Sequence, residues 1–321
     1  MNRKVNLFVV GQPRTGSTAL YHYFKRHDDI FVPDQKQLYH FEKDYNEHRN
    51  KNISSKKILH SYYNYNLSDY NKHFDRLGNE KIIVDITPSY LYSRVAAQEI
   101  YNYNPNAKII AVFRDPIKYI ISIHNLLCNS KIEKIKNLNN AIKAERIRQN
   151  KYYKQSYREK KDILFYSKRV EYSKQLKRFV DLFGKNNVHC ILYENFKKDN
   201  KKVLFDIYNF LKISNSVSDD LFLDINSSKT EALPGAMSLL KKQWVNNISF
   251  ALPPMLRSYL GKIVKSIILK KQRLSIDEND KKQLEEFCIP NVESFSRYLI
   301  EKKYTSDKFE LMNFWGYSGN K

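Results

Sequence analysis

The chain has 321 residues, enough for one large α/β domain or two small ones, and its apolar content of 42% allows a substantial core. Lysine and arginine outnumber aspartate and glutamate by 56 to 34, and the net charge of +22 favours acidic partners: a nucleotide, an anionic glycan, nucleic acid or a membrane surface. No apolar run reaches the roughly 18 residues of a membrane-spanning helix, and the three scattered cysteines (Cys128, Cys190, Cys288) suggest neither a disulfide framework nor a paired zinc-ligand motif.

Taken in order, the predicted elements begin with the β-branched run Val5–Val10, a turn, and a helix from Ser17 to Arg26. Met1-Asn2-Arg3-Lys4 leads straight into that strand. With an apolar run too short for a signal peptide, cytoplasmic residence is the expectation. Lys81–Ile86 leads to Thr87-Pro88 and a helix near Arg94–Tyr103, and Ala107–Phe113 leads to Arg114-Asp115-Pro116 and a helix through Leu127. Residues 131–161 carry eleven Lys/Arg and three Glu without a β pattern, which predicts a basic helical insert at about 129–165. Val188–Tyr193 then precedes a helix at Lys201–Leu211, and a helical region follows at about 236–310. Within it, residues 256–268 carry an i, i+3, i+4, i+7 apolar stripe, which suits a helix packed on the domain or one lying on anionic lipid or on a partner.

Short apolar strands that each feed a helix predict an α/β fold, a single domain over 1–321 with a parallel sheet covered on both faces. Ligands of such sheets bind at the carboxyl ends of the strands, so Arg14, Thr87, Arg114 and Tyr193 stand where chemistry is expected.

The strand, turn and helix N-terminus of VNLFVVGQPRTGSTALYHYF form an anion-binding pattern. The spacing Gly11, Gly16, Ser17-Thr18 imitates a nucleotide P-loop, but Ser17 takes the place of the motif's lysine and the cation stands inside the loop at Arg14. That displacement points to a phosphate-like ligand other than a nucleoside triphosphate with magnesium. A second cation, Arg114, ends the strand at Phe113, with Ser122 eight residues on; a guanidinium and a hydroxyl so spaced could hold one phosphate.

With these two grips in view, the chain resembles the sulfotransferases that use 3′-phosphoadenylyl sulfate (PAPS). It is most similar to the bacterial and Golgi carbohydrate group that includes heparan sulfate sulfotransferases. Gly11-Gln12-Pro13-Arg14-Thr15-Gly16-Ser17-Thr18-Ala19-Leu20 resembles the family's 5′-phosphosulfate loop, and Arg114 through Ser122 its 3′-phosphate element. Pro33 through Phe41 falls where the family has a Lys-Glu…Phe-Phe segment, and Asp85-Ile86-Thr87-Pro88-Ser89-Tyr90 where it has Glu-Lys-Thr-Pro-x-Tyr. Ser228-Lys229-Thr230 stands where the family has Ser-Lys-Gly.

The resemblance implies a P-loop-like three-layer fold and transfer of a sulfuryl group from PAPS to a hydroxyl or amine of a glycan-type acceptor. Adenosine 3′,5′-bisphosphate (PAP) would be the other product, and no metal would be needed. It also implies roles. Arg14 would face the moving sulfuryl group. Thr15, Gly16, Ser17, Thr18 and Ala19 would hold the 5′-phosphosulfate, Arg114, Ser122 and Lys229 the 3′-phosphate, and Tyr193 the adenine side. The acceptor would be a glycan or other hydroxyl-bearing molecule, acidic or lipid-linked, with peripheral contact at the inner face of a membrane and no nucleic-acid partner.

Two departures from the family pattern stand out. Gln37 occupies the position of the family's basic glutamate, and an amide cannot take a proton; His40, Asp85 and Glu42 are the substitutes. Ile86 replaces the family's lysine, which weakens a close heparan-like specificity. A P-loop phosphotransferase, a PAP-binding module without catalysis and a nucleic-acid binder are the competing readings.

Overall fold

A computed structural model describes residues 3–44, 66–152, 164–215, 278–307 and 310–317. Five strands form one sheet: β1 (Leu7–Gly11), β2 (Ile30–Phe31), β3 (Ile82–Ile86), β4 (Lys108–Phe113) and β5 (Val188–Leu192). The order is β2-β3-β1-β4-β5 and every pairing is parallel, with Leu7 opposite both Val84 and Lys108. β1 and β3 are buried along their whole length, as expected of Val/Ile-rich strands covered by helices on both faces. At Gly11 an added Cβ would lie 2.6 Å from the Val112 carbonyl oxygen, so the close approach of β1 to β4 requires glycine.

The strands are linked through α1 (Ser17–Phe24), α2 (Leu67–Lys72), α3 (Ala96–Tyr103), α4 (Pro116–Asn129), α5 (Leu138–Tyr152), α6 (Tyr166–Arg169) and α7 (Tyr172–Phe183). After β5 come α8 (Tyr193–Lys198), α9 (Asn200–Leu211), α10 (Glu278–Glu301) and α11 (Leu311–Trp315). α7 buries Tyr172, Leu176, Phe179, Val180 and Phe183, a one-sided stripe at helical spacing that packs on the sheet. α4 starts cleanly because Asp115 accepts the Ile117 N–H at 2.9 Å and Pro116 follows with its φ already set for a helix.

The predicted strand–helix alternation is present as an α/β fold with a central parallel sheet, with boundaries within two residues for most elements. Tyr193, expected to end a strand, instead opens α8. β2, with two residues, is too short to leave an alternation in the sequence. In the expected basic insert, residues 138–152 form α5, which buries Leu138 and Ala141 in the core. The three cysteines are free; Cys288 is buried and the other two half-buried. Lys229 and the amphipathic stretch 256–268 lie outside the described residues.

This strand order positions the site. From β1 the chain moves out to β2 and back through β3, then crosses to β4 on the other side of β1. The carboxyl ends of β1 and β4 therefore flank a topological switch point, where open α/β sheets leave a crevice.

Candidate active site

After Gly11 the chain turns and enters α1 at Ser17. Thr15, fully buried, closes the turn by donating its hydroxyl to the Gln12 carbonyl at 2.6 Å. Gln12 in turn donates from Nε2 to Gln175 Oε1 at 2.7 Å, which ties the loop to α7. Arg14 (φ 70°) and Gly16 (φ 82°) both adopt left-handed backbone, the kind of turn that directs successive N–H groups into a concavity. Gly16 caps α1 without a side-chain acceptor, and the first intrahelical bond runs from Leu20 N–H to the Gly16 carbonyl. The N–H groups of Ser17, Thr18 and Ala19 thus have no partner within the helix and, with the helix dipole, favour an anion. The Arg14 side chain is exposed beside them.

Arg114 lies across the crevice, one residue past β4. Its Nη1 donates to the Arg14 carbonyl at 3.2 Å, and its guanidinium lies 5.3 Å from the Tyr193 ring centroid. Its Nε is buried with no hydrogen-bond partner. The Tyr193 ring also bounds the first loop: a Cβ on Gly16 would lie 3.1 Å from that ring and 3.2 Å from Phe196. Arg14, Gly16, Arg114 and Tyr193 therefore form one cluster. Ser122 is half-buried midway along α4, and its hydroxyl forms no hydrogen bond among the described residues.

Lys36, which no motif marks as a ligand contact, belongs to the same cluster. Its ammonium donates to Thr18 Oγ1 at 2.6 Å, which leaves the Thr18 proton available to a ligand. Burial lowers its pKa to about 8. The available signal was its place at the head of the segment compared with the family's Lys-Glu.

The three candidate bases differ sharply in access. Asp85 has no exposed surface. Its Oδ1 accepts the Thr87 hydroxyl at 2.6 Å, and its Oδ2 accepts Tyr90 at 3.0 Å and Tyr70 at 3.1 Å. Desolvation raises its pKa to about 6 against the opposing pull of those three hydroxyls. A carboxylate sealed in this way cannot reach an acceptor, so the geometry corrects the expectation that Asp85 is the base. Glu42 is fully buried as well. His40 is half-buried, stacked on Tyr70 at 4.7 Å and edge-on to Phe41 at 4.8 Å. Gln37 has left-handed backbone (φ 64°), and its Oε1 accepts the Tyr39 hydroxyl. Among the described residues, no group of three or more His, Cys, Asp or Glu side chains is placed to hold a metal ion.

The family model described as "Sulfotransferase family" matches residues 6–217, well over half of the chain. The chain belongs to the sulfotransferase family. The match takes in Arg14, Lys36, Asp85, Arg114 and Tyr193 and stops short of Lys229. The chain is similar to the membrane-associated sulfotransferase kil1 of Dictyostelium discoideum, with 27% identity over 172 residues and 49% of the chain covered; it spans only 33% of that relative's length. The crystal structure of a sulfotransferase from Alicyclobacillus acidocaldarius shares the fold, with a TM-score of 0.63 at 21% identity over 92% of this chain and 95% of that one. Mouse sulfotransferase SULT7A1, solved in complex with PAP, fits more loosely, with a TM-score of 0.43 at 16% identity over 95% of this chain and 86% of that one. In this sulfotransferase-family chain, no helix among the described residues is long and apolar enough to cross a membrane.

Proposed function

We propose that this chain transfers a sulfuryl group from PAPS to a hydroxyl of a glycan-type acceptor. The supporting observation is the pairing of two anion grips at one switch point, joined by the hydrogen bond from Arg114 to the Arg14 carbonyl. The buried, unpartnered Arg114 Nε and the uncapped start of α1 are the donors that a nucleotide bearing two separate phosphates needs. PAPS brings an activated sulfuryl group on a phosphate leaving group. In this reading the N–H groups of Ser17 to Ala19 and the Thr18 hydroxyl hold the 5′ end, and Lys36 and Arg14 balance its charge. Arg114 holds the 3′-phosphate by its guanidinium fork, and Tyr193 flanks the nucleotide. Sulfuryl transfer passes through a loose transition state by analogy with phosphoryl transfer, so positioned cations and N–H dipoles carry most of the catalysis.

His40 is assigned as the base, because it alone of the three candidates keeps exposed surface. A net charge of +22 favours an acidic acceptor such as an anionic glycan. The name of the Dictyostelium relative supports contact with a membrane surface. The test is transfer of label from PAPS to a panel of glycans, lipids and phenols, with the product read by mass. His40→Ala is expected to lower kcat about 10²-fold, the lower end for losing a general base. Tight PAP binding with no transfer to any acceptor would instead make the chain a nucleotide-binding module.

A further inference from the structure

The segment from Lys36 to Phe41 carries the lysine and the histidine of the site, both half-buried, yet its backbone is strained. Gln37 and Tyr39 both have left-handed φ values, 64° and 59°, without being glycine. Single residues of this kind cost about 1–3 kcal/mol each and persist only where the surroundings hold them. Three hydrogen bonds do so. Gln37 N–H donates to the Ile86 carbonyl at 3.2 Å, Leu38 N–H to Thr87 Oγ1 at 3.0 Å, and Phe41 N–H to the Tyr90 hydroxyl at 3.4 Å.

Two of these acceptors are hydroxyls, which could equally turn a proton toward the loop. Each is prevented from doing so because its own proton points at Asp85: Thr87 donates to Oδ1 at 2.6 Å and Tyr90 to Oδ2 at 3.0 Å. An ionised carboxylate accepts and never donates, so it sets the direction of both hydroxyls.

We propose that Asp85 is a positioning residue: by accepting the Thr87 and Tyr90 protons, it turns their lone pairs to the Leu38 and Phe41 N–H groups and holds Lys36 and His40 at the sheet edge. The proposal rests on reading that edge as the sulfuryl-transfer site. Tyr70 provides an internal control. It donates to the same Asp85 oxygen at 3.1 Å, but no hydrogen bond joins its hydroxyl to the 36–41 backbone among the described residues. Asparagine at 85 would replace one acceptor by an NH2 donor, so at least one hydroxyl would lose its acceptor.

The experiment compares Thr87→Val, Asp85→Asn and Tyr70→Phe with the unaltered chain, by amide hydrogen exchange of residues 36–41 and by kcat for PAPS turnover. Thr87→Val and Asp85→Asn are expected to speed exchange in that segment and lower kcat, each about tenfold, as loss of a buried hydrogen bond implies. The double variant should be no worse than Asp85→Asn alone, because both changes break one relay. Tyr70→Phe keeps the ring under His40 and should leave both readouts within about threefold of the unaltered chain. If Asp85→Asn does not fold, the contrast between Thr87→Val and Tyr70→Phe decides alone. Equal effects of those two, or unchanged exchange in Thr87→Val, overturn the relay. The expected exchange pattern without any PAPS turnover would remove the proposed reaction and leave the relay standing.

Discussion

Arg14 and Arg114 stand 100 residues apart in the chain and meet through one hydrogen bond. Both were legible in the sequence as cations just past the end of a buried strand, where α/β folds present ligand contacts. Asp85 was not legible in the same way. A carboxylate at a strand end looks alike whether it faces the crevice or the core, and only the packing of Tyr70 from α2 and Tyr90 after β3 closes it off. Lys36 is not legible in the sequence because its role depends on a fold-back to Thr18. Two predictions belong at this scale. Gly16→Ala places a Cβ at φ 82° against Tyr193 and Phe196; it should cost about 1–2 kcal/mol of stability in urea unfolding and weaken PAP binding. The second concerns pH. Lys36 loses its proton near pH 8 rather than at the usual 10.5, so anion affinity should fall as pH rises through 8. The sign follows because the anion binds the charged form, and Lys36→Met should flatten that fall in PAP titrations between pH 7 and 9.

At the scale of elements, β1, β3 and β4 were readable because burial on both faces makes them Val/Ile-rich runs, β5 because its apolar ends bracket the half-buried His189 and Cys190, whereas β2 has too few residues to show a pattern. What no local pattern shows is how a distant element braces the site. Downstream of α10, Trp315 of α11 donates from Nε1 to Glu194 Oε2 at 3.1 Å, and the other oxygen of Glu194 accepts the Asp115 N–H at 3.2 Å. Tyr317 donates to Asp115 Oδ1 at 3.0 Å, the same oxygen that caps α4. The residues flanking Arg114 and Tyr193 are thus fixed by chain more than a hundred residues away. Tyr317→Phe should lower stability by about 1 kcal/mol in urea unfolding, the usual net worth of one hydrogen bond. It should leave α4 in place, because Lys118 and the Ile117 N–H still bond Asp115.

For the whole molecule, the alternation of strands and helices was enough to predict a parallel α/β sheet, but the order β2-β3-β1-β4-β5 was not in the pattern. That order sets the ends of β1 and β4 side by side and makes two weak motifs into one site. The net charge of +22 adds a field that draws anions toward the molecule without choosing among them. On the proposed reading, specificity for a nucleotide with two phosphates comes from the paired grips. The measurement that bears on this most directly is calorimetric titration of the unaltered chain and of Arg114→Ala with PAP and with adenosine 5′-phosphate. The unaltered chain is expected to bind PAP at least tenfold more tightly than adenosine 5′-phosphate, and Arg114→Ala to remove this preference while still binding the 5′-phosphate, since a charge-assisted hydrogen bond is worth about 1.5–3 kcal/mol. Equal affinity of the unaltered chain for the two nucleotides, or an Arg114→Ala variant that keeps the preference, would contradict it.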